Sequence, residues 1–397
     1  TVNSTGTLAI NGFNDTVGQV IVDGGSITGT GGTLSSTANF DVRSGSSSAS
    51  LGGSVGLNKS TTGSFTLSNT NSYTGTTNVN GGSLILGHAT NTLSDSGAVV
   101  VNGGTLSIGN NNDTVGSVTL VNGSLAGTGG KLSASAFNVQ NGTITAGLSG
   151  LGGLTKSTAG TVTLSSASDY LGNTDINSGT FIISSLGSIN SFLSTFNSSG
   201  DLTRIDAGGL VSVNQVNLLG STTMTVNGTL NATSGVNVGA NAVLKGNGQI
   251  NAALTLATGA QLAPGNSIGQ LTMNSLALSG TYDWEVDSTA NSADLVDVTS
   301  VLDLSGASLN IIELGTFEIG KKFTLFSYGA LNPSQFTGWA NGSTQGGWKI
   351  NYFDSAPGLN GGSGLGFVTL TSVPEPSTLF LGVLGLGGIA MRRRRRA

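Results

Sequence analysis

The chain of 397 residues has no cysteine, five prolines and one histidine, His88. Without cysteine there are no disulfides, no thiolate metal sites and no cysteine nucleophile. Charge is scarce as well: charged residues make up 8% of the chain, with 14 basic against 19 acidic for a net charge of −5. Five of the basic residues are Arg392, Arg393, Arg394, Arg395 and Arg396, so the rest of the chain is more acidic still. Scattered lysine and arginine on an acidic body argue against nucleic acid as a partner. Low charge with little proline argues against a disordered linker. The hydrophobic fraction, 37%, is small for a globular domain. What is abundant is glycine, 65 residues, together with Ser, Thr and Asn. The chain begins at Thr1 without a methionine, so a signal peptide is expected to have been removed or to lie outside it.

This composition has a period. Val79-Asn80-Gly81-Gly82-Ser83-Leu84 returns as Val101-Asn102-Gly103-Gly104-Thr105-Leu106 and, loosely, as Val22 to Ile27, Val121 to Leu125 and Val226 to Leu230. Glycine permits positive φ and asparagine tolerates it, so each copy is a turn between short strands. A period near 20 with one such turn per repeat marks a β-solenoid, in which each coil buries its apolar face on the next. A narrow solenoid core needs few apolar residues per coil. Stacked Asn and Thr are then expected to form ladders, each amide bonding its neighbour one coil away.

The first half is duplicated. Asn14-Asp15-Thr16-Val17-Gly18 matches Asn112-Asp113-Thr114-Val115-Gly116, and Leu51-Gly52-Gly53 matches Leu151-Gly152-Gly153. Two units are therefore expected over residues 1–185. Each contains a more specific block. One runs from Gly152 through Lys156, Gly160, Leu164 and Tyr170 to Ile183. The other has Lys59, Gly63, Leu67 and Tyr73 in the matching places and ends at Leu86. These blocks, near 51–86 and 151–183, resemble the autotransporter-associated β-strand repeat. The resemblance implies a right-handed parallel β-helix and a surface passenger role. Ala263-Pro264-Gly265-Asn266-Ser267 is a turn that also recurs in such passengers. Autotransporters end in a long membrane barrel; no run of amphipathic strands follows here, so that route to the surface is not expected.

Leu186, Ile189, Leu193 and Phe196 have helical spacing, so residues 186–201 read as a short helix or an irregular Ser-rich insert. The solenoid beat resumes over 202–300. Tyr282 to Asp287 alternates as a strand with aromatics inward and carboxylates outward. Aromatics gather over 301–357, and a solenoid must cover its last open edge. This region is read as the C-terminal β cap, followed by a Gly/Ser linker and a last strand over 358–372.

The tail runs Val373-Pro374-Glu375-Pro376, then an apolar stretch with Leu379, Phe380, Leu381, Val383, Leu384, Leu386, Ile389 and Met391, then the arginine run. It closely resembles the PEP-CTERM sorting signal, which covers only about the last 25 residues. Arginines at the end of an apolar helix stay cytoplasmic, placing the body across the membrane. The apolar stretch is short against the roughly 20 residues a bilayer requires. A marginal span suits a temporary anchor, and flanking arginines can snorkel. The resemblance implies an exosortase as partner, a membrane protease-transpeptidase processing at or near Pro374-Glu375-Pro376. A permanent tail anchor is the alternative.

Catalytic chemistry has few candidates. Asp15 and Asp113 recur at matching positions, which reads as a turn role. His88 sits in a turn after a strand, with no partner that sequence alone can place. Asp283, Glu285, Asp287, Asp294, Asp297 and Asp303 offer oxygen ligands for calcium, but lack the Gly-Gly-x-Gly-x-Asp nonapeptide and the Asp-x-Asp-x-Asp-Gly loop. They are read as a solvated strand face. The Gly-rich runs at Gly29 and Gly127 lack the Gly-Lys-Ser/Thr ending of a phosphate loop.

The expectation is an all-β protein: a right-handed parallel β-helix with a C-terminal β cap and one C-terminal transmembrane helix. It is expected to be non-enzymatic, with no catalytic residues, metal or cofactor. It would be sorted to the cell envelope, surface or matrix of a Gram-negative bacterium, there to contact exopolysaccharide or cell-surface glycans. The alternatives are a carbohydrate-active β-helix enzyme and a calcium-stabilised surface-layer protein.

Overall fold

The computed structural model describes residues 1–374. Every regular element among them is a β-strand, and nearly all pairings are parallel. The chain divides into two compact units, Thr1–Asn237 and Val238–Ala397.

The first unit is a parallel β-solenoid. Its strands carry a mostly apolar residue at every second position, so one side of each strand faces the core and the other presents mainly Ser, Thr and Asn. The inward residues stack in columns. One column runs Phe40, Leu57, Thr77, Val99, Val118, Phe137, Leu154, Thr174, Phe196 and Val216. Its steps reveal the duplication. Phe40 to Leu57 is 17 residues, Leu57 to Thr77 is 20 and Thr77 to Val99 is 22. Phe137 to Leu154, Thr174 and Phe196 repeats 17, 20 and 22. A third face is built by Asp15–Val17, Thr33–Ser36 and Ser50–Gly52, and again by Asp113–Val115, Lys131–Ala134 and Gly147–Ser149.

The recurring Asn-Gly turns follow from coil stacking. Gly123 has φ 110°, and a Cβ there would lie 2.2 Å from the carbonyl oxygen of Gly104, one coil below. The expected ladders are present on the outer face. Asn237 donates to Asn217 (3.1 Å), Asn217 to Asn197 (3.0 Å) and Asn197 to Asp175 (2.7 Å).

The short helix read over 186–201 is not formed. Ser188–Ser198 is a strand, paired in parallel with Leu210–Leu218 and stacked on Ala167–Ser168 and Thr174–Ile176. Ile189 and Phe196 are buried, whereas Leu186 and Leu193 are exposed. A helix this short has little stability of its own, and two flanking coils offer the backbone a full ladder instead.

The second unit also begins with parallel coils. Val243–Gly246 pairs with Gln261–Pro264, and Gln249–Leu256 with Gln270–Leu278. Gln270–Leu278 pairs with Leu295–Asp303, which pairs with Lys322–Leu331. On Thr281–Asp287 the aromatics Tyr282 and Trp284 face inward, as their alternation predicts. Parallel stacking thus extends into the region expected to be cap. Apart from the short hairpin of Val286–Asp287 with Ser292–Ala293, antiparallel strand pairing in this unit lies at its end, where Gly366–Ser372 covers the free edge of Lys322–Leu331 and pairs with Trp348–Asp354, itself paired with Thr344–Gln345. Trp348 packs edge-on against Trp284 (5.6 Å) and Phe317 (5.3 Å), closing the core.

Residues 358–365, expected as a linker, form a packed strap. A Cβ at Gly358 would lie 2.4 Å from Phe323 Cα. Asn360 Nδ2 donates to the carbonyls of Thr324 (2.8 Å) and Asp294 (3.2 Å). The expected transmembrane helix falls on residues outside those described. Among the described residues no helix is long and apolar enough to cross a membrane.

Coil stacking makes a direct prediction. Gly123→Ala should cost about 3 kcal/mol or more, because it adds a backbone clash to a strained φ. Gly220→Ala, at φ 64° with nothing within 4 Å, should cost about 1–2 kcal/mol. Urea unfolding of both variants checks this; equal losses would contradict it.

Candidate functional site

The two duplicated blocks contain the most elaborate polar chemistry of the first unit. In Leu57-Asn58-Lys59, Leu57 faces the core, so the period of two sends Lys59 inward as well; Lys156 follows Leu154 likewise. Both lysines are fully buried. Lys59 Nζ donates to the carbonyls of Thr61 and of Gly81, the latter at 3.0 Å and one coil away. Lys156 Nζ donates to the carbonyls of Thr158 and of Ser178, the latter at 3.1 Å. Each ammonium therefore ties the turn of its own coil to the turn of the next. Burial lowers both lysine pKa values. Opposite them, Tyr73 shares a buried hydrogen bond with Thr77 (2.8 Å) and Tyr170 with Thr174 (2.6 Å). Each tyrosine packs on a phenylalanine of the column, Phe40 at 6.2 Å and Phe137 at 6.1 Å. The hydrogen bonds of these groups all run within the stack. They bind one coil to another.

The carboxylates correct the sequence reading. Asp15 is exposed, but Asp113 is buried. One Asp113 oxygen accepts the Leu93 amide (3.0 Å) and the other the Thr114 amide (2.9 Å). Burial pushes its pKa up to about 6. In the second unit Asp294 and Asp297 are buried, not part of a solvated face. Residues 295–298 are covered on both sides, by flanking strands and by the strap. Asp294 accepts the amides of Gly269 (2.8 Å) and Glu285 (2.9 Å), and burial raises its pKa to about 7. Asp297 accepts the Ser327 hydroxyl and the Gln270 side-chain amide. In Asp113-Thr114-Val115 the inward valine places Asp113 inward too, whereas the same motif at Asp15-Thr16-Val17 leaves Asp15 exposed, so the pattern alone does not decide burial.

Asp283, Glu285, Asp294 and Lys245 line a pocket of about 160 Å³, walled by Pro264, Asn266 and Ser267. Both oxygens of Asp294 hold backbone amides, so it fixes the 265–269 turn to strand Thr281–Asp287. One Glu285 oxygen is buried without a hydrogen-bond partner. Asp287 and Asp303 accept amides from their own turns, at Ala290 and Ser305. Among the described residues no group of three or more His, Asp or Glu is placed to hold a metal ion. His88 Nδ1 lies 2.5 Å from the Thr90 carbonyl oxygen, which holds the ring in its turn.

The sorting motif starts where the last strand stops. Ser372 pairs with Trp348, and the Val373 amide donates to the Gly347 carbonyl at 2.7 Å. Pro374 is the last described residue. Glu375 and Pro376, the apolar stretch from Leu379 to Met391 and the cluster Arg392 to Arg396 lie outside the described residues.

Comparison with known proteins agrees with this layout. Residues 57–86 and 154–183 match the passenger-associated-transport-repeat, the two Lys–Tyr blocks in register. Residues 372–396 match the PEP-CTERM protein-sorting motif. Over 246 residues the chain is 31% identical to the adhesin BmaC autotransporter of Brucella suis biovar 1 (strain 1330). That match covers 56% of this chain and 7% of the relative. The chain thus joins autotransporter passenger repeats to a PEP-CTERM signal, and both are marks of an exported cell-surface protein.

The buried carboxylates set the pH dependence of stability. Asp113 and Asp294 have folded pKa values above the ordinary 3.8, near 6 and 7. Between those values the folded chain binds more protons than the unfolded one, so stability falls as pH rises. The free energy of unfolding measured in urea should therefore rise from pH 8 to pH 5, by on the order of 2 kcal/mol per carboxyl. Asp294→Asn should flatten the part near pH 7. A free energy that is level or falls over this range would contradict the assignment.

Proposed function

We propose that the protein is a non-enzymatic adhesive body, delivered to the outer surface by exosortase recognition and processing of its tail. The carrying observation is the junction at Val373, where a hydrogen-bonded strand passes into the sorting motif. On this reading the apolar stretch from Leu379 to Met391 holds the chain in the membrane with Arg392 to Arg396 on the cytoplasmic side. Processing at or near Pro374-Glu375-Pro376 then frees a body whose described residues are already folded. The adhesive role is supported by the passenger repeats and by the resemblance to an adhesin. The outward Ser, Thr and Asn rows offer many weak hydrogen bonds to exopolysaccharide or cell-surface glycans, a chemistry that gains from repetition.

Among the described residues, the pocket with Asp283 and Glu285 is a feature that a polysaccharide-cleaving enzyme could use. General acid–base work needs two carboxyl groups free to exchange protons with substrate. Asp294 instead spends both oxygens on backbone amides.

Cells lacking the protein should attach to each other and to native matrix polysaccharide less well, and the purified chain should bind that polysaccharide without releasing reducing ends. Unchanged attachment together with no binding would refute the adhesive role. Release of reducing ends that is lost in Glu285→Gln would establish the enzyme instead.

A further inference from the structure

The loop Leu314 to Gly320, between strands Ser308–Glu313 and Lys322–Leu331, presents three apolar side chains to solvent. Leu314 is 49% exposed, Phe317 38% and Ile319 60%. Single exposed apolar residues are ordinary, but three within six residues of one loop are a local concentration of apolar surface. The loop is fastened to the point where the tail leaves the fold. The Gly320 amide donates to the Ser372 carbonyl at 2.9 Å, and Ser372 Oγ donates to the Glu318 carbonyl at 2.6 Å. Phe317 packs on Trp348, beside Gly347, whose carbonyl holds the Val373 amide. A Cβ on Gly347 would lie 2.9 Å from Phe317 Cζ, so the glycine lets the ring sit there.

The tether is short. From Val373 to Leu379, where the apolar stretch starts, there are six residue steps. Fully extended they reach about 20 Å. The headgroup layer beside the hydrocarbon core is about 5–8 Å thick. While the tail spans the membrane, Val373 therefore stays within about 15 Å of the headgroups, and so does the loop bonded to its neighbour.

We propose that this loop is a membrane-contact surface: Leu314, Phe317 and Ile319 enter the lipid headgroup layer while the tail is inserted, and leave it when the tail is cut. This rests on reading the tail as a membrane segment. An apolar and aromatic trio suits the interface, where such side chains gain by leaving water. Glu318, the one acid in the loop, is paired with Lys321 at 3.2 Å and so enters the layer with its charge compensated.

The absence of native cysteine makes the test direct. Ile319→Cys and, as a control, Leu151→Cys are each labelled with a bimane dye in the full chain. Leu151 is 82% exposed and lies outside the loop. The chains are reconstituted into phosphatidylethanolamine–phosphatidylglycerol vesicles carrying a doxyl quencher on the lipid, and the floated fraction is read. The dye at position 319 should be quenched at least about threefold more than at 151. Equal quenching in floated vesicles would overturn the contact while leaving the membrane reading of the tail intact. Such a result would also be left by a loop covered by a second copy or by the tail itself, since a lipid-borne quencher reaches neither. Failure to float would refute the membrane reading, and the contact with it.

Discussion

Hydrogen bonding from one coil to the next is the constraint on which the rest depends. In a parallel stack each strand's amides and carbonyls are satisfied by the coils on either side, about 4.8 Å away. The sequence needs little else to specify such a coil: one inward apolar residue in two, and a turn that leaves room for the neighbouring carbonyl. That explains a composition with 65 glycines and few charges. It also explains why Gly123 stands over the Gly104 carbonyl with no space for a side chain.

Where the coil path needs more than apolar stacking, the protein places buried polar groups whose hydrogen bonds are met one coil away. Lys59 and Lys156 hold turn carbonyls of two successive coils, and Asp113 accepts an amide from the coil before it. Such groups are costly if unpaired, so they fix the register of the stack rather than merely adding stability. The same logic closes the second unit. The parallel edge of Lys322–Leu331 is covered by the antiparallel strand Gly366–Ser372, and the strap at Asn360 satisfies carbonyls at Thr324 and Asp294. An uncovered edge would invite pairing between chains.

Much of this was legible in the residues. The period near 20, the duplication, the asparagine ladders and the inward aromatics at Tyr282 and Trp284 all follow from periodicity and turn chemistry. The all-β parallel solenoid is what the structure shows. Three features were misread for physical reasons. Leu186, Ile189, Leu193 and Phe196 have a helical spacing, but pairing with coils on both sides is decided by distant sequence. Asp294 and Asp297 look like surface charges until the strap over them is seen, 60 or more residues further on. The Gly/Ser stretch before the last strand looks flexible, yet its glycines are there to let the backbone lie against Phe323 and Tyr328. The inward period of two also reaches Lys59 and Lys156, whose burial residue type alone does not suggest.

At Val373 the last described strand passes into the sorting motif. The intact mass of the protein recovered from native cells, measured fraction by fraction, tests whether the tail is cut there. A body ending near Pro374-Glu375-Pro376 in the outer fraction is the predicted result. A full-length mass confined to the membrane would contradict it, making the tail a permanent anchor and the membrane surface the place where this protein works.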